Sequence, residues 1–341
     1  MRWQGGVDPR AANPPAGRQT GPVSSPTGRF APSPTGPLHV GNLRTALVSW
    51  CAARSAGGRW LVRMEDLDRV TSSPAHEAGQ LADLAALGLE PDGLVVRQSE
   101  RFDRYDAAIS DLDRRGLVYR CYCTRREIRE AASAPHGELP DGAYPGTCRG
   151  LDDELANDHE AAGRRPAWRL RAEGERVEFI DLLAGRCSGV VDDVVLRRND
   201  GVPAYNLAVV VDDAAQGVTD VVRGDDLVSS TPRQLRLAGL LGLPTPRHLH
   251  VPLVLGPDGS RLAKRHGAVT LAELTGSGHD PVDVRSWLAR SLGLAEPGER
   301  PTLDELVERF EPAVTRGRLP RAPWRLTPAD VAGRGSIVDR D

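Results

Sequence analysis

Apolar positions along the chain switch between two spacings. The stretch GNLRTALVSWCAAR (41–54) places Leu43, Leu47, Trp50 and Arg54 three or four residues apart, which predicts a helix with Asn42 as its candidate N-cap. RWLVRMED (59–66) is a short apolar run ending in acids and reads as a buried strand. PAHEAGQLADLAALG and RFDRYDAAISDLDRRG return to helical spacing and are stopped by Gly88 and Gly116. AYNLAVVVDD (204–213) and GVTDVVRGDD (217–226) read as two further strands. TPRQLRLAGLLG is a helix with Pro232 in its first turn and Gly242 beyond its end. RFAPS (29–33) reads as a first strand and LHVPLVL (249–255) as a last one. This alternation predicts an α/β fold, a doubly wound parallel sheet with helices on both faces. In such sheets ligands sit beyond the carboxyl ends of the strands. The chain contains no internal repeat.

The same rhythm divides the chain. Residues 1–28 are rich in Gly, Pro, Ser and Arg without periodicity and read as a disordered tail or the product of an early start codon. They lack the apolar centre of a secretory signal. Residues 29–117 and 195–248 carry the α/β pattern, 118–194 break it and read as an insertion, 249–325 hold two or three further helices, and 326–341 read as a tail. No apolar run approaches the roughly 20 residues that span a membrane, so a cytoplasmic chain with no membrane partner is expected. The net charge of −3 provides no global field for a polyanion, so local arginines must meet one. Arg125, Arg126, Arg197 and Arg198 are candidates, with an ordinary solvated face as the alternative. Five cysteines, two of them one residue apart, argue against a disulfide scaffold and for a reducing compartment.

Three stretches carry candidate chemistry. APSPTGPLHVGN (31–42) packs prolines, glycines and His39 before a helix N-terminus, where free amides and the helix dipole suit phosphates. His39 would donate to a phosphate gaining charge, whereas a rigid turn with a capping histidine is the alternative. DGSRLAKRHG (258–267) holds Lys264, the one lysine in the chain, all other basic residues bar histidine being arginine. A compact, mobile ammonium suits a leaving pyrophosphate better than a planar guanidinium, although chance survival on a solvated loop would leave the same mark. CYC (121–123) with AYPGTC (143–148) supplies Cys121, Cys123 and Cys148, three thiols at spacings that suit zinc, with His136 an available fourth ligand.

RFAPSPTGPLHVGNLRTAL, LVRMEDLD, AYNLAVVVDD, GVTDVVRGDDL and SRLAKR, in that order, resemble the class I aminoacyl-tRNA synthetases, and among them the glutamyl branch. The resemblance runs from Arg29 to Leu274. HVGN (39–42) stands where that family carries its HIGH signature, with Asn42 in place of the last histidine. RLAKR (261–265) stands at the KMSKS signature, with Arg261 and Ala263 replacing a lysine and a serine, and Lys264 kept at the lysine used on ATP phosphates.

The resemblance implies a Rossmann-type catalytic domain that joins an amino-acid carboxylate to the α-phosphorus of ATP, as its Mg2+ complex, by positioning and charge stabilisation. It assigns His39 and Lys264 to catalysis, and His39, Gly41, Asn42 and Lys264 to ATP. A dicarboxylate substrate calls for two cations, and Arg29 and Arg223 both lie at expected strand ends. Glu65 would meet the α-amino group and Tyr205 would donate to a carboxylate. The resemblance places glutamate on Arg29, Phe30, Ala31, Pro32, Ser33, Glu65, Tyr205 and Arg223. Structural ion pairs among Arg29, Glu65 and Arg223 are the alternative. It also names Tyr144, rather than His136, as fourth ligand of one structural zinc with Cys121, Cys123 and Cys148. Cys51 and Cys187 read as ordinary core or near-core thiols. About 75 residues follow Arg265, too few for the family's anticodon-binding module. Together with the Cys-x-Cys…Tyr-x3-Cys pattern, this resembles a short offshoot that activates L-glutamate without tRNA and passes it to queuosine at the wobble position of tRNA(Asp), expected here as a monomer. A shortened synthetase charging the 3′ end of tRNA(Glu), and an impaired paralogue that binds RNA or metabolites, are the competing expectations.

Overall fold

The computed structural model describes residues 25–132, 143–262, 269–327 and 330. Lys264, His136 and most of both tails lie outside the described residues. β1 (Thr27–Phe30) runs through the Pro/Gly loop into α1 (Val40–Ser55), which returns to β2 (Arg59–Met64). α2 (Pro74–Ala86), β3 (Val96–Arg97) and α3 (Phe102–Arg114) follow. Next come β4 (Val118–Cys121), α4 (Arg125–Ala132), α5 (Asp153–Ala161), β5 (Ala167–Leu170), the hairpin of β6 (Arg176–Asp181) and β7 (Gly185–Val190), and β8 (Val195–Arg197). α6 (Tyr205–Ala215), β9 (Asp220–Gly224), α7 (Thr231–Leu241) and β10 (Arg247–Val251) complete the α/β part. β11 (Val254–Leu255), α8 (Leu271–Gly276), α9 (Pro281–Arg290), α10 (Leu303–Thr315) and β12 (Trp324–Arg325) close the described chain.

The main sheet has the order β3-β2-β1-β9-β10-β6-β7. Its pairs are parallel except for β6 with β7. The chain leaves β1 toward β2 and β3 on one side, and β9 toward β10 on the other. The crevice beyond β1 and β9 is therefore the switch point where ligands of open α/β sheets bind.

Side chains alternate across each strand, and here the two faces differ in kind. Phe30, Val62, Met64, Val222, Leu249 and Val251 join one apolar core with α1, α9 and α10. The register pairs Arg29 with Val221, Arg223 with His250, and Asp181 with His248, so the buried polar residues share the opposite face. α3, α6 and α7 cover a second core on that side. β4, β5 and β8 form a separate antiparallel sheet, whereas β6 and β7, within the stretch read as an insertion, extend the main sheet.

Four local expectations are corrected. Residues 204–213 are not a strand: Tyr205–Ala215 is helix α6. An apolar run without polar interruption fits a buried helix as well as a strand. Here tertiary contacts prevail over the β propensity of three valines, since Leu207, Ala208, Val209, Asp212 and Asp213 are all buried. Residues 249–255 are two strands rather than one. Pro252 has no N–H to give a ladder, so β10 ends at Val251 and β11 pairs with β12 in another sheet. The first strand is Thr27–Phe30, and the chain has already left the sheet at Ala31. The N-cap of α1 is His39, and Asn42 is the third helical residue.

Candidate active site

A cavity of about 760 Å3 opens at the carboxyl ends of β1, β2, β9 and β10. It is lined by Arg29, Phe30, Ala31, Pro32, Ser33, His39, Gly41, Asn42, Glu65, Tyr205 and Arg223. All the described residues expected at the glutamate and ATP positions therefore meet in one place. Arg261 also lines it and pairs with Asp226 at 3.3 Å.

The Pro/Gly loop forms one wall. His39 caps α1 with its Nδ1, which accepts from the amides of Gly41 (3.1 Å) and Asn42 (3.3 Å). The Asn42 side-chain oxygen accepts in turn from the His39 amide at 3.2 Å, closing a capping box. With Nδ1 accepting, the neutral ring carries its hydrogen on Nε2, and burial lowers its pKa below 6.5. Gln80, on α2, donates to the carbonyls of Ser33 (3.0 Å) and Gly36 (2.7 Å) and pins the loop. The expected set lacked Gln80, although a glutamine in the apolar stripe of PAHEAGQLADLAALG was the available signal.

The two arginines differ. Arg29 donates from Nε to Asp213 at 3.2 Å, and Asp213 also accepts from Arg63 Nη1 at 2.7 Å. Arg63 reaches Glu65 at 3.5 Å. Arg29 and Glu65 are thus partly engaged in ion pairs, as the alternative reading had it. Burial pushes the Glu65 carboxyl above 4.5, opposed by the charges of Arg63 and Arg29. An arriving ammonium would favour its charged form. Arg63 and Asp213 were missed, though an arginine within the apolar RWLVRM run marks a buried partner.

Arg223 has no acid within ion-pair distance among the described residues, yet is only 5% exposed. Its Nη1 donates to Tyr205 Oη (3.3 Å) and Gln234 Oε1 (2.8 Å), and its Nη2 to the Leu227 carbonyl (3.2 Å) and Thr231 Oγ1 (2.8 Å). Its Nε donates to His250 Nε2 at 3.0 Å. Burial holds the Tyr205 hydroxyl above its usual pKa of 10, so it remains a donor. A buried cation surrounded by neutral acceptors is costly unless an anion joins it. A carboxylate entering beside Tyr205 would meet both groups.

The cysteines gather elsewhere. The thiols of Cys121, Cys123 and Cys148 lie within 4.8 Å of one another. Cys123 Sγ is 3.4 Å from Cys148 Sγ and 3.3 Å from Tyr144 Oη. Donors around a tetrahedral zinc stand roughly 3.5–3.8 Å apart, so four such atoms fit one ion with modest adjustment. Hydrogen bonds with Cys121 and then Tyr144 pull the Cys148 thiol down to about 6. The Arg169 guanidinium lies 3.7 Å over the Tyr144 ring, a cation that favours negative charge on this group of donors. Cys51 is buried on α1, which pushes its thiol up to about 12, and Cys187 is half-buried in β7. Of the arginines considered for a polyanion, Arg197 pairs with Asp106 and Arg198 with Asp200.

Comparison with known proteins gives the family. Residues 27–314 match the family described as tRNA synthetases class I (E and Q), catalytic domain. The chain is 60% identical over 309 residues to the glutamyl-Q tRNA(Asp) synthetase of Nocardia farcinica, covering 89% of this chain and 96% of the relative. It is 47% identical over 318 residues to the enzyme of that name from Symbiobacterium thermophilum, covering 89% and 97%. A glutamate tRNA ligase from Elizabethkingia meningosepticum, solved with its amino acid, superposes with a TM-score of 0.75 at 25% identity, covering 90% of this chain and 68% of that one. No described helix is long and apolar enough to cross a membrane. The chain belongs to the class I tRNA synthetases of the E and Q type and, among them, to the glutamyl-Q tRNA(Asp) synthetases.

Proposed function

We propose that the protein activates L-glutamate with ATP, without tRNA, and transfers the glutamyl group to queuosine at the wobble position of tRNA(Asp). A glutamate carboxylate oxygen attacks the α-phosphorus of ATP, supplied as its magnesium complex. The bond to the β-phosphate oxygen breaks and pyrophosphate leaves. The acyl group then passes to queuosine and AMP departs. The observation that carries this reading is Arg223, a buried guanidinium with no acid partner among the described residues, facing a cavity beside Tyr205.

Each residue has a stated task. Arg223 and Tyr205 hold one carboxylate, Arg29 serves the other, and Glu65 receives the α-amino group. Phe30, Ala31, Pro32 and Ser33 form the wall against which the substrate lies. Nε2–H of His39 lies on the phosphate side, where charge develops as pyrophosphate departs, and the amides of Gly41 and Asn42, which donate to its Nδ1, hold the ring there. Lys264 neutralises that pyrophosphate. Zinc on Cys121, Cys123, Tyr144 and Cys148 would hold its segment in shape and take no part in the reaction. The protein acts as a cytoplasmic monomer.

The test is transfer of labelled glutamate, with ATP, to total tRNA from cells that make queuosine and from matched cells that cannot. Label on the first pool alone is expected, together with glutamate-dependent ATP–pyrophosphate exchange in the absence of tRNA. Equal labelling of both pools would replace this reading with a shortened synthetase charging a tRNA terminus. No label and no exchange would leave the impaired paralogue.

A further inference from the structure

Arg223 is held by three side chains that do not line the cavity, His250, Thr231 and Gln234. The His250 ring receives the Arg223 Nε hydrogen on Nε2, and Thr231 Oγ1 lies 3.3 Å from the same nitrogen. Its other nitrogen, Nδ1, lies 2.7 Å from Asp181 Oδ2. Both side chains are fully buried. A nitrogen that accepts from an arginine carries no hydrogen, so the ring's hydrogen is on Nδ1 and is donated to Asp181. Asp181 in turn is fixed by the amides of Leu183 (2.9 Å), Ala184 (2.8 Å) and His250 (3.1 Å). A chain of hydrogen bonds thus runs from the end of β6 through β10 to the guanidinium on β9.

We propose that Asp181 and His250 are positioning residues that orient Arg223 for the substrate carboxylate. This rests on the reading of the cavity as the glutamate pocket. The imidazole between acid and arginine has a specific consequence. A carboxylate placed directly on Arg223 would neutralise it and compete with the substrate. A neutral ring fixes the guanidinium plane and leaves its charge for the ligand. Asp181 secures the tautomer, because a hydrogen on Nε2 would point at the Arg223 Nε hydrogen. The ring of His248, on the same face of β10, lies parallel to that of His250 at 5.9 Å.

The test is tRNA-independent ATP–pyrophosphate exchange, read as separate KM values for glutamate and ATP. Losing a hydrogen bond to a charged group is worth roughly tenfold to a hundredfold in binding. His250→Leu is therefore expected to raise the glutamate KM by at least about tenfold while the ATP KM stays within about twofold. In His250→Gln the amide oxygen takes over acceptance from Arg223 and its NH2 donates to Asp181, so most of the affinity returns. Asp181→Asn, which frees the tautomer, is expected to fall between them. In an Arg223→Gln background, His250→Leu should add nothing further, a non-additivity that a merely structural role would not produce. If Arg223→Gln raises the glutamate KM but His250→Leu leaves it unmoved, or if the two effects add, this inference is overturned alone. If His250→Leu does not fold, a His250→Gln variant no better than Asp181→Asn overturns it equally. An unchanged glutamate KM in Arg223→Gln would remove the pocket reading itself, and this inference with it.

Discussion

At His39 the cap and the proposed catalytic donor are the same ring, and substitution can separate them. Asparagine is a strong N-cap, so His39→Asn keeps the start of α1 but has no donor that reaches where Nε2–H lies. Activation is expected to fall by about 10²–10³, the usual loss for one preorganised donor, with the melting temperature nearly unchanged. A parallel fall in both would show that His39 only caps. Gly41 tests the same ring from the other side. A Cβ there would stand 2.9 Å from His39 Cε1 and 3.0 Å from Nδ1. Gly41→Ala must therefore displace the ring, and it should impair exchange nearly as much as His39→Asn without removing any functional group. The sequence pointed to His39 as a donor, with a capping histidine as the alternative, and named Asn42 as the N-cap of α1. Asparagine is the usual capping residue and histidine an uncommon one, so local preference favoured the wrong position. What decides it is the entry of the chain, with the amide of Val40 bonded to Val269 O at 2.9 Å.

Elements whose limits are set by their own residues were legible, and those set by neighbours were not. α7 begins with proline near its start and ends on Gly242 at φ 65, both readable as local chemistry. α6 was read as a strand because its valines favour one. Only the fold reveals that Asp212 and Asp213 must sit on the same helix to meet Arg101 (2.6 Å) and Arg63 (2.7 Å). The cysteine-bearing stretch lies between these cases. Its three thiols were readable from spacing and Tyr144 only from the resemblance, and the attachment of β4 to β5 and β8 was not readable at all. β4 carries Cys121, and the stretch 143–148 carries Tyr144 and Cys148, so one ion would tie segments that share few other bonds. Metal analysis is expected to find about one zinc per chain, because structural sites of this kind are closed and tight. Chelation or Cys121→Ser should raise hydrogen exchange in β4, β5 and 143–151 while β1, β2 and β9 keep their protection. A metal-free protein with full protection in β4 would contradict the site.

Taken across the whole sheet, the two faces respond differently to acid. The face toward α1 packs into the apolar core. The face toward α6 and α7 buries His248 and His250 among arginines. For His248, burial lowers the pKa to about 3, with the charges of Arg223, His250 and Arg29 adding to it and Asp181 opposing. The unfolded chain has an ordinary histidine near pH 6.5. Above that pH neither state binds the proton, and the stability is fully present. As pH falls through 6.5 the unfolded state takes up a proton that the folded state refuses, and stability drops until pH approaches 3. Between pH 7 and 5 this single group costs about 2 kcal/mol. His250 shifts in the same direction, whereas burial lifts Glu65, Asp83 and Asp225 and so favours the folded state as pH falls. The total acid profile is therefore a poor test, and the difference between two chains is a good one. His248→Phe keeps a ring of similar size against His250 and Phe179 but cannot bind the proton. Unfolding free energies measured at pH 7 and 5 should show the parent losing about 2 kcal/mol more than the variant over that interval. Equal losses would mean that His248 takes up its proton in the folded state, and that the polar face is open to water.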